Sequence, residues 1–292
     1  MKVLVTGVKG QLGFDLVNEL KKRNHEPIGV DIEEMDITDA GSVDSVIRAA
    51  SPDAVIHCAA WTAVDAAEDE ANQEKVHLVN GVGTENIVSV CKALDIKMMY
   101  ISTDYVFDGQ GTEPWQPDCK NYRPLNVYGK TKLEGELAVS GQLSKYFIVR
   151  IAWVFGKNGK NFIRTMLNLG QTHEELRVVN DQIGSLTYTY DLARLLVDMI
   201  ETEKYGYYHA TNEGEYTSWY EITKEIFRQA VCMGHEEYAR VTVNPVTTAE
   251  YGVSKAARPF NSRLDKSKLG ENGFVPLPEW KDALHRYLTE IL

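Results

Sequence analysis

No stretch of this sequence approaches the roughly 20 apolar residues that a membrane-spanning helix needs. The apolar opening Val3-Leu4-Val5 is too short for a secretory leader. Cysteine is scarce: Cys58, Cys91, Cys119 and Cys232 stand far apart, with no C-x-x-C pair. Free thiols in a reducing cytoplasm are therefore predicted, not a disulfide framework. Cysteine and histidine do not fall at metal-ligand spacing either, so no metal is expected. Positive charge is in deficit, with 31 Lys and Arg against 42 Asp and Glu, a net charge of −11. That balance argues against a nucleic acid as partner, though a cleft can still hold a single nucleotide. Repeats, low-complexity tracts and an evident linker are also missing.

What is present is 292 residues, 43% hydrophobic and 25% charged, enough chain to bury a full core without staples. The first half alternates strand-like and helix-like runs. Lys2–Thr6, 27–31, 53–57, 97–102 and 146–151 read as strands. Residues 11–23, 40–50 (behind Asp39 as N-cap), 74–94 and 127–139 read as helices. Strands alternating with helices imply parallel pairing and a doubly wound α/β sheet. The second half is less regular. Helices are predicted over 162–169, 189–202, 218–231 (opened by Ser218) and 279–291, with extended segments at 207–210 and 242–245. This half is expected to pack at the C-terminal edge of the sheet, with segments crossing between the two parts.

Gly7-Val8-Lys9-Gly10-Gln11-Leu12-Gly13 spells G-x-x-G-x-x-G directly after the first strand and at the start of the first helix. Gly7 permits a tight turn, Gly10 lets backbone approach a pyrophosphate, and Gly13 lets helix and strand pack closely. The helix N-terminus adds N–H donors and the positive end of its dipole. Asp31 ends the second strand, 18 residues after Gly13. A carboxylate there accepts hydrogen bonds from an adenosine ribose and repels a 2′-phosphate, which favours NAD over NADP on charge alone. Asp36 and Ile37 follow as candidates for the adenine.

Tyr128 and Lys132 stand four apart on a predicted helix, hence on one face. An ammonium beside a phenol is expected to lower the phenol's pKa, preparing it to protonate a carbonyl oxygen as hydride reaches the carbon. Lys132 is also suited to the ribose hydroxyls of a nicotinamide. Thr103, just after the fourth strand, is placed to put a hydroxyl beside the same carbonyl, since ligands of open α/β sheets bind at the carboxyl ends of the strands.

Gly7/Gly10/Gly13, Ser102-Thr103-Asp104 and Tyr128-x-x-x-Lys132 together resemble the extended short-chain dehydrogenase/reductase family. Further segments narrow the resemblance: Cys58–Glu68, the run STDYVFDG from Ser102 to Gly109, PLNVYG from Pro124, Ala152-Trp153-Val154-Phe155-Gly156, Val179–Gly184 and Ala257-Arg258-Pro259-Phe260-Asn261-Ser262. The ordered set, over roughly the whole chain, resembles the dTDP-4-dehydrorhamnose reductases.

That resemblance implies a Rossmann-type NAD(P)-binding domain over residues 1–151 and a smaller mixed α/β substrate-binding part over 152–292. It implies transfer of hydride from NADPH or NADH to the C4 ketone of a dTDP-sugar, in a cytoplasmic monomer or weak homodimer. Thr103, Tyr128 and Lys132 would be the catalytic set. Gly10, Gln11 and Leu12 would meet pyrophosphate, Asp31, Asp36 and Ile37 the adenosine end, and Ala59 and Ala60 the nicotinamide path. Thr103, Asp104 and Trp153 would meet the sugar, with Arg258 and Asn261 as candidates for the nucleotide side, a guanidinium suiting a diphosphate. A nucleotide-sugar epimerase of the same fold, or a non-catalytic regulatory subunit, stays open as an alternative. One departure stands out: Leu186 replaces a family proline, which predicts a looser turn there.

Overall fold

The computed structural model describes residues 1–292. Six parallel strands form the central sheet. In space they run Gly206–His209, β5 (Tyr146–Ile151), β4 (Lys97–Thr103), β3 (Ala54–His57), β1 (Lys2–Thr6) and β2 (Glu26–Val30). The order reverses between β1 and β3, which makes this a Rossmann-type doubly wound sheet with its switch point there. β1 shows why both faces must be covered. Its residues alternate in direction, so Val3 and Val5 enter one apolar cluster and Leu4 another.

Helices α1 (Gln11–Lys22) and α2 (Ala40–Ala50) follow β1 and β2. As expected, Asp39 caps α2, its Oδ1 accepting from Gly41 N at 2.8 Å. The single helix expected over 74–94 differs. The chain forms α3 (Val64–Ala67), α4 (Glu70–His77), a π-helical turn at Leu78–Val82, and α5 (Gly83–Leu94). Asn80, 1% exposed, sits in the widened turn. Its Oδ1 accepts from Trp61 N at 2.8 Å and its Nδ2 donates to Thr131 Oγ1 at 3.1 Å, tying the turn to α6 (Val127–Gln142).

The second half supplies α7 (Phe162–Thr172), α8 (Thr189–Ile200), α9 (Trp219–Cys232) and a C-terminal helix, Trp280–Ile291. It is not a separate bead. The Gly206–His209 strand extends the central sheet beside β5, and Leu192, Leu196 and Ile200 of α8 share an apolar cluster with Leu16 and Leu20 of α1. A second core, with Phe155, Ile163, Ile222, Tyr287 and Leu288, holds the remaining helices together.

Candidate active site

A cavity of about 1260 Å³ opens at the carboxyl ends of the strands, between the sheet and the second half. It exceeds the roughly 1,000 Å³ upper range of pockets for a single small ligand. Its lining runs from the glycine loop through Asp31, Asp36 and Ile37, past Ala59 and Ala60, to Thr103, Asp104, Tyr128, Lys132, Trp153 and Arg258. Sequence positions spread over 250 residues thus meet around one space.

At the glycine-loop end, Gly7 takes φ +71°, and a Cβ there would lie 2.8 Å from Ala59 N. A Cβ on Gly13 would lie 2.3 Å from Gly7 O, so only glycine lets α1 start this close to the turn. No side chain caps α1. Its first-turn N–H groups have no intrahelical partners, and Gly10 leaves them open to the cavity. This cradle fits the pyrophosphate of a dinucleotide. Leu12 packs into the core and also borders the cavity. Asp31 accepts from Lys9 N at 2.9 Å and from Ile32 N at 3.0 Å, tying the glycine loop to the end of β2. The Lys9 ammonium is held by Glu33 at 2.5 Å. Asp36 accepts from the Thr38 hydroxyl at 2.8 Å.

At the other end, the start of α6 presses on the turn after β4. A Cβ on Gly129 would lie 2.3 Å from Tyr105 O, and the Tyr105 and Tyr128 rings meet edge to face at 5.5 Å. Asn126 caps α6, accepting from Gly129 N at 2.7 Å, while its amide donates to Ala257 O at 2.8 Å. Thr103 Oγ1 donates to Asp104 Oδ1 at 3.0 Å. The fully embedded Lys132 donates from Nζ to Ile101 O at 2.7 Å and lies 4.1 Å from the centre of the Tyr100 ring.

The electrostatics differ from the expectation at Tyr128. Burial pushes its phenol up, and the Thr103 hydroxyl beside it acts the other way. Lys132 does not bring the phenol down, because burial lowers its own pKa to about 7 against support from Glu136. An ammonium disfavoured by burial and engaged with the Ile101 carbonyl is a weak influence on its neighbour. Burial likewise raises Asp104 to about 6, opposed by Ser262 and Thr103.

Two further expectations need correction, at Asn261 and at Leu186, while Arg258 lies where expected. Asn261 does not line the cavity. It is 1% exposed, its amide donates to Glu113 O at 2.8 Å, and its Oδ1 accepts from Arg263 Nη1 at 3.0 Å, so it fastens a loop. Arg258 does line the cavity, but its guanidinium is paired with Asp65 at 2.7 Å and donates to the Tyr105 hydroxyl at 3.2 Å. The turn at Leu186 is firm, because the side chain is 1% exposed and its carbonyl accepts from Asn212 N at 2.9 Å.

Trp153, expected at the sugar, does line the cavity, and Phe162, Trp219, Asn158 and Lys160, which the sequence reading did not single out as site residues, line it too. Trp153 takes φ +50°, a conformation uncommon outside glycine. Thr187 N holds it there by donating to Trp153 O at 3.1 Å. Its indole stacks on Trp219 at 4.0 Å, which in turn meets Phe162 at 4.5 Å. Trp219 follows the Ser218 cap and offered no signal beyond being aromatic. Asn158 and Lys160 also line the cavity, Asn158 reaching over the glycine loop to donate to Lys9 O at 2.8 Å.

Comparison with known proteins places the whole chain in a family. A family model described as the RmlD substrate binding domain matches residues 1–292. The spore coat polysaccharide biosynthesis protein SpsK of Bacillus subtilis is 39% identical, over 99% of this chain and 97% of its own. A dTDP-4-keto-6-deoxy-D-glucose reductase of Streptomyces niveus is 37% identical, over 96% of this chain and 94% of its own. The crystal structure of a dTDP-4-dehydrorhamnose reductase from Bacillus anthracis in complex with NADP is 40% identical, with a TM-score of 0.90 and 99% of each chain covered. Whole-chain agreement in sequence and in fold gives one conclusion: the chain belongs to the RmlD substrate binding domain family.

Proposed function

We propose that this protein is an NAD(P)H-dependent reductase that converts the C4 ketone of dTDP-4-dehydro-6-deoxy-L-mannose to the alcohol of dTDP-L-rhamnose. The observation that carries this reading is the shared cavity. The glycine cradle and the set Thr103, Tyr128 and Lys132 line one space. The names of the relatives, a dTDP-4-dehydrorhamnose reductase with NADP among them, support the same reaction class.

The bound cofactor supplies the hydride. Tyr128 gives its proton to the ketone oxygen as charge develops there. A phenol kept protonated by burial is the correct form for a donor. Lys132 holds the ribose beside the sugar, and its rigid seat between Ile101 O and Tyr100 fixes that position. The Trp153–Trp219 stack offers a flat apolar surface to the pyrimidine base, and Arg258 offers a guanidinium to the diphosphate.

The test is an absorbance assay at 340 nm (the reduced nicotinamide band), with enzymatically generated keto-sugar and NADH or NADPH in parallel. Loss of absorbance with formation of dTDP-rhamnose is expected, and Tyr128→Phe is expected to abolish it while leaving cofactor affinity intact. Turnover of dTDP-4-keto-6-deoxy-D-glucose alone would move the assignment to that hexose. Interconversion of sugars without net oxidation of cofactor would move it to an epimerase.

A further inference from the structure

Asp104 is 2% exposed and lines the cavity beside the proposed proton donor. Its Oδ1 accepts from Thr103 Oγ1 at 3.0 Å. Its Oδ2 is buried and has no hydrogen-bond partner. The Ser262 hydroxyl, arriving from the second half, approaches the same carboxyl without completing a bond. A buried carboxylate oxygen left unpaired is costly, so a use for it is worth seeking.

Counting protons at Thr103 supplies one. A threonine hydroxyl has one proton and two lone pairs. The proton goes to Asp104, and one lone pair takes Tyr105 N at 3.3 Å. The hydroxyl also stands beside the Tyr128 phenol, and what it has left to offer there is a lone pair. With Asp104 ionised, Thr103 has no proton to give to a ketone or to a phenolate. With Asp104 protonated, the carboxyl donates to Thr103, whose own proton is freed toward Tyr128.

We propose that Asp104, acting through Thr103, returns a proton to Tyr128 after each reduction. The inference rests on Tyr128 being the proton donor argued above. In the reduction, the Tyr128 O–H bond breaks and an O–H bond forms on the ketone oxygen, while hydride from NAD(P)H adds to the carbon. The Thr103 proton then passes to the phenolate, and the Asp104 carboxyl proton passes to Thr103. Asp104 is left as a carboxylate and regains a proton from water entering the cavity. Each turnover thus consumes one hydride and one proton.

The surroundings suit this role. Burial lifts Asp104 to about 6, with Ser262 and Thr103 opposing, so the carboxyl can be recharged from water near neutral pH. From α6 it is faced by Tyr128, and on its own turn by Tyr105. The cation behind Tyr105, Arg258, contacts that hydroxyl and Asp65 and is not among the groups that shift Asp104. Lys132 is engaged with Ile101 O. No opposite charge fixes Asp104 in its ionised form.

The experiment compares the first turnover with the steady state, in the full-length protein with NADPH and the keto-sugar. Asp104→Asn keeps a donor toward Thr103 but has no proton to release. Its first turnover is expected to fall much less than its steady-state kcat, because Tyr128 starts protonated, while the steady-state kcat falls roughly 100-fold. Wild-type kcat should decline as pH rises through about 6, and this break should vanish in Asp104→Asn. Ser262→Ala leaves Asp104 in place but removes an opposing hydroxyl, so the break should move upward in pH. It also keeps the test alive if Asp104→Asn does not fold. An unchanged kcat and pH profile in Asp104→Asn would overturn the relay. So would an unshifted break in Ser262→Ala, or equal losses in both phases with a raised KM, which marks a substrate contact only. Normal turnover by Tyr128→Phe would instead sink the donor assignment itself.

Discussion

Arg150 and Glu136 form a two-pronged ion pair with no exposed side-chain surface on either partner. Nε donates to Oε1 at 2.8 Å and Nη2 to Oε2 at 2.7 Å. The pair joins β5 to α6 one helical turn beyond Lys132, and Arg150 Nη1 also donates to Pro117 O at 3.0 Å. It therefore anchors the helix that carries the proposed catalytic pair.

Removing one partner leaves the other charged, buried and alone. Glu136→Gln is expected to cost about 3 kcal/mol in urea unfolding. The double variant Arg150→Met with Glu136→Leu should lose much less, since no charge is left stranded. A single variant within about 0.5 kcal/mol of wild type, the scatter of ordinary surface substitutions, would contradict this account.

Lys132 makes stability depend on pH. The folded protein holds it near 7, below its ordinary 10.5, chiefly through burial. Between those values the unfolded chain binds a proton that the folded chain lacks, so this residue makes stability rise with pH. Above about 9 the half-buried Cys58 and the buried Cys91, raised from 9.0 to about 12, work in the opposite direction, because the unfolded chain loses their protons first. The clean window is therefore pH 7 to 9. Denaturation midpoints of wild type relative to Lys132→Met should climb across it, and a flat difference would refute the burial argument.

Cofactor choice should respond to Glu33. In this structure Glu33 occupies the ammonium of Lys9, at the edge of the loop tied by Asp31. Glu33→Gln frees that cation and removes a negative charge beside the glycine loop. A several-fold gain in kcat/KM for NADPH is expected, with little change for NADH. The gain should shrink at high salt because the groups are exposed. Equal changes for the two cofactors would exclude an electrostatic origin.

The aromatic stack should act on the nucleotide-sugar alone. Trp219→Ala removes the ring on which Trp153 rests. KM for the sugar nucleotide is expected to rise about tenfold, near the upper end for one aromatic pair, while cofactor affinity measured by quenching of protein fluorescence stays unchanged. A matching loss of cofactor affinity would point to collapse of the second half instead.

The parts legible in the sequence were those fixed by local rules. The glycine loop, the strand–helix alternation and the Tyr128–Lys132 spacing each follow from backbone sterics or helical periodicity. The helix break at Asn80 was not legible, because it depends on Trp61 and Thr131 reaching the same amide from distant positions. Asn261 misled because an amide reads alike whether it faces a ligand or two carbonyls. The direction of the Tyr128 shift was misread for a related reason. Spacing shows that an ammonium is near, but only burial and the bond to Ile101 O show how little charge it has to offer.

The Gly206–His209 strand has a consequence for how the chain comes apart. It pairs along the outer side of β5, and α8, just before it, covers α1. A fragment ending near residue 151 would keep every glycine and tyrosine of the cofactor half. It would also present β5 as a bare edge, with unpaired amides and an uncovered row of leucines on α1, the surface on which stray chains assemble into aggregates. The two halves are accordingly expected to melt in one cooperative transition, and limited proteolysis between them to yield insoluble pieces, not a free nucleotide-binding domain.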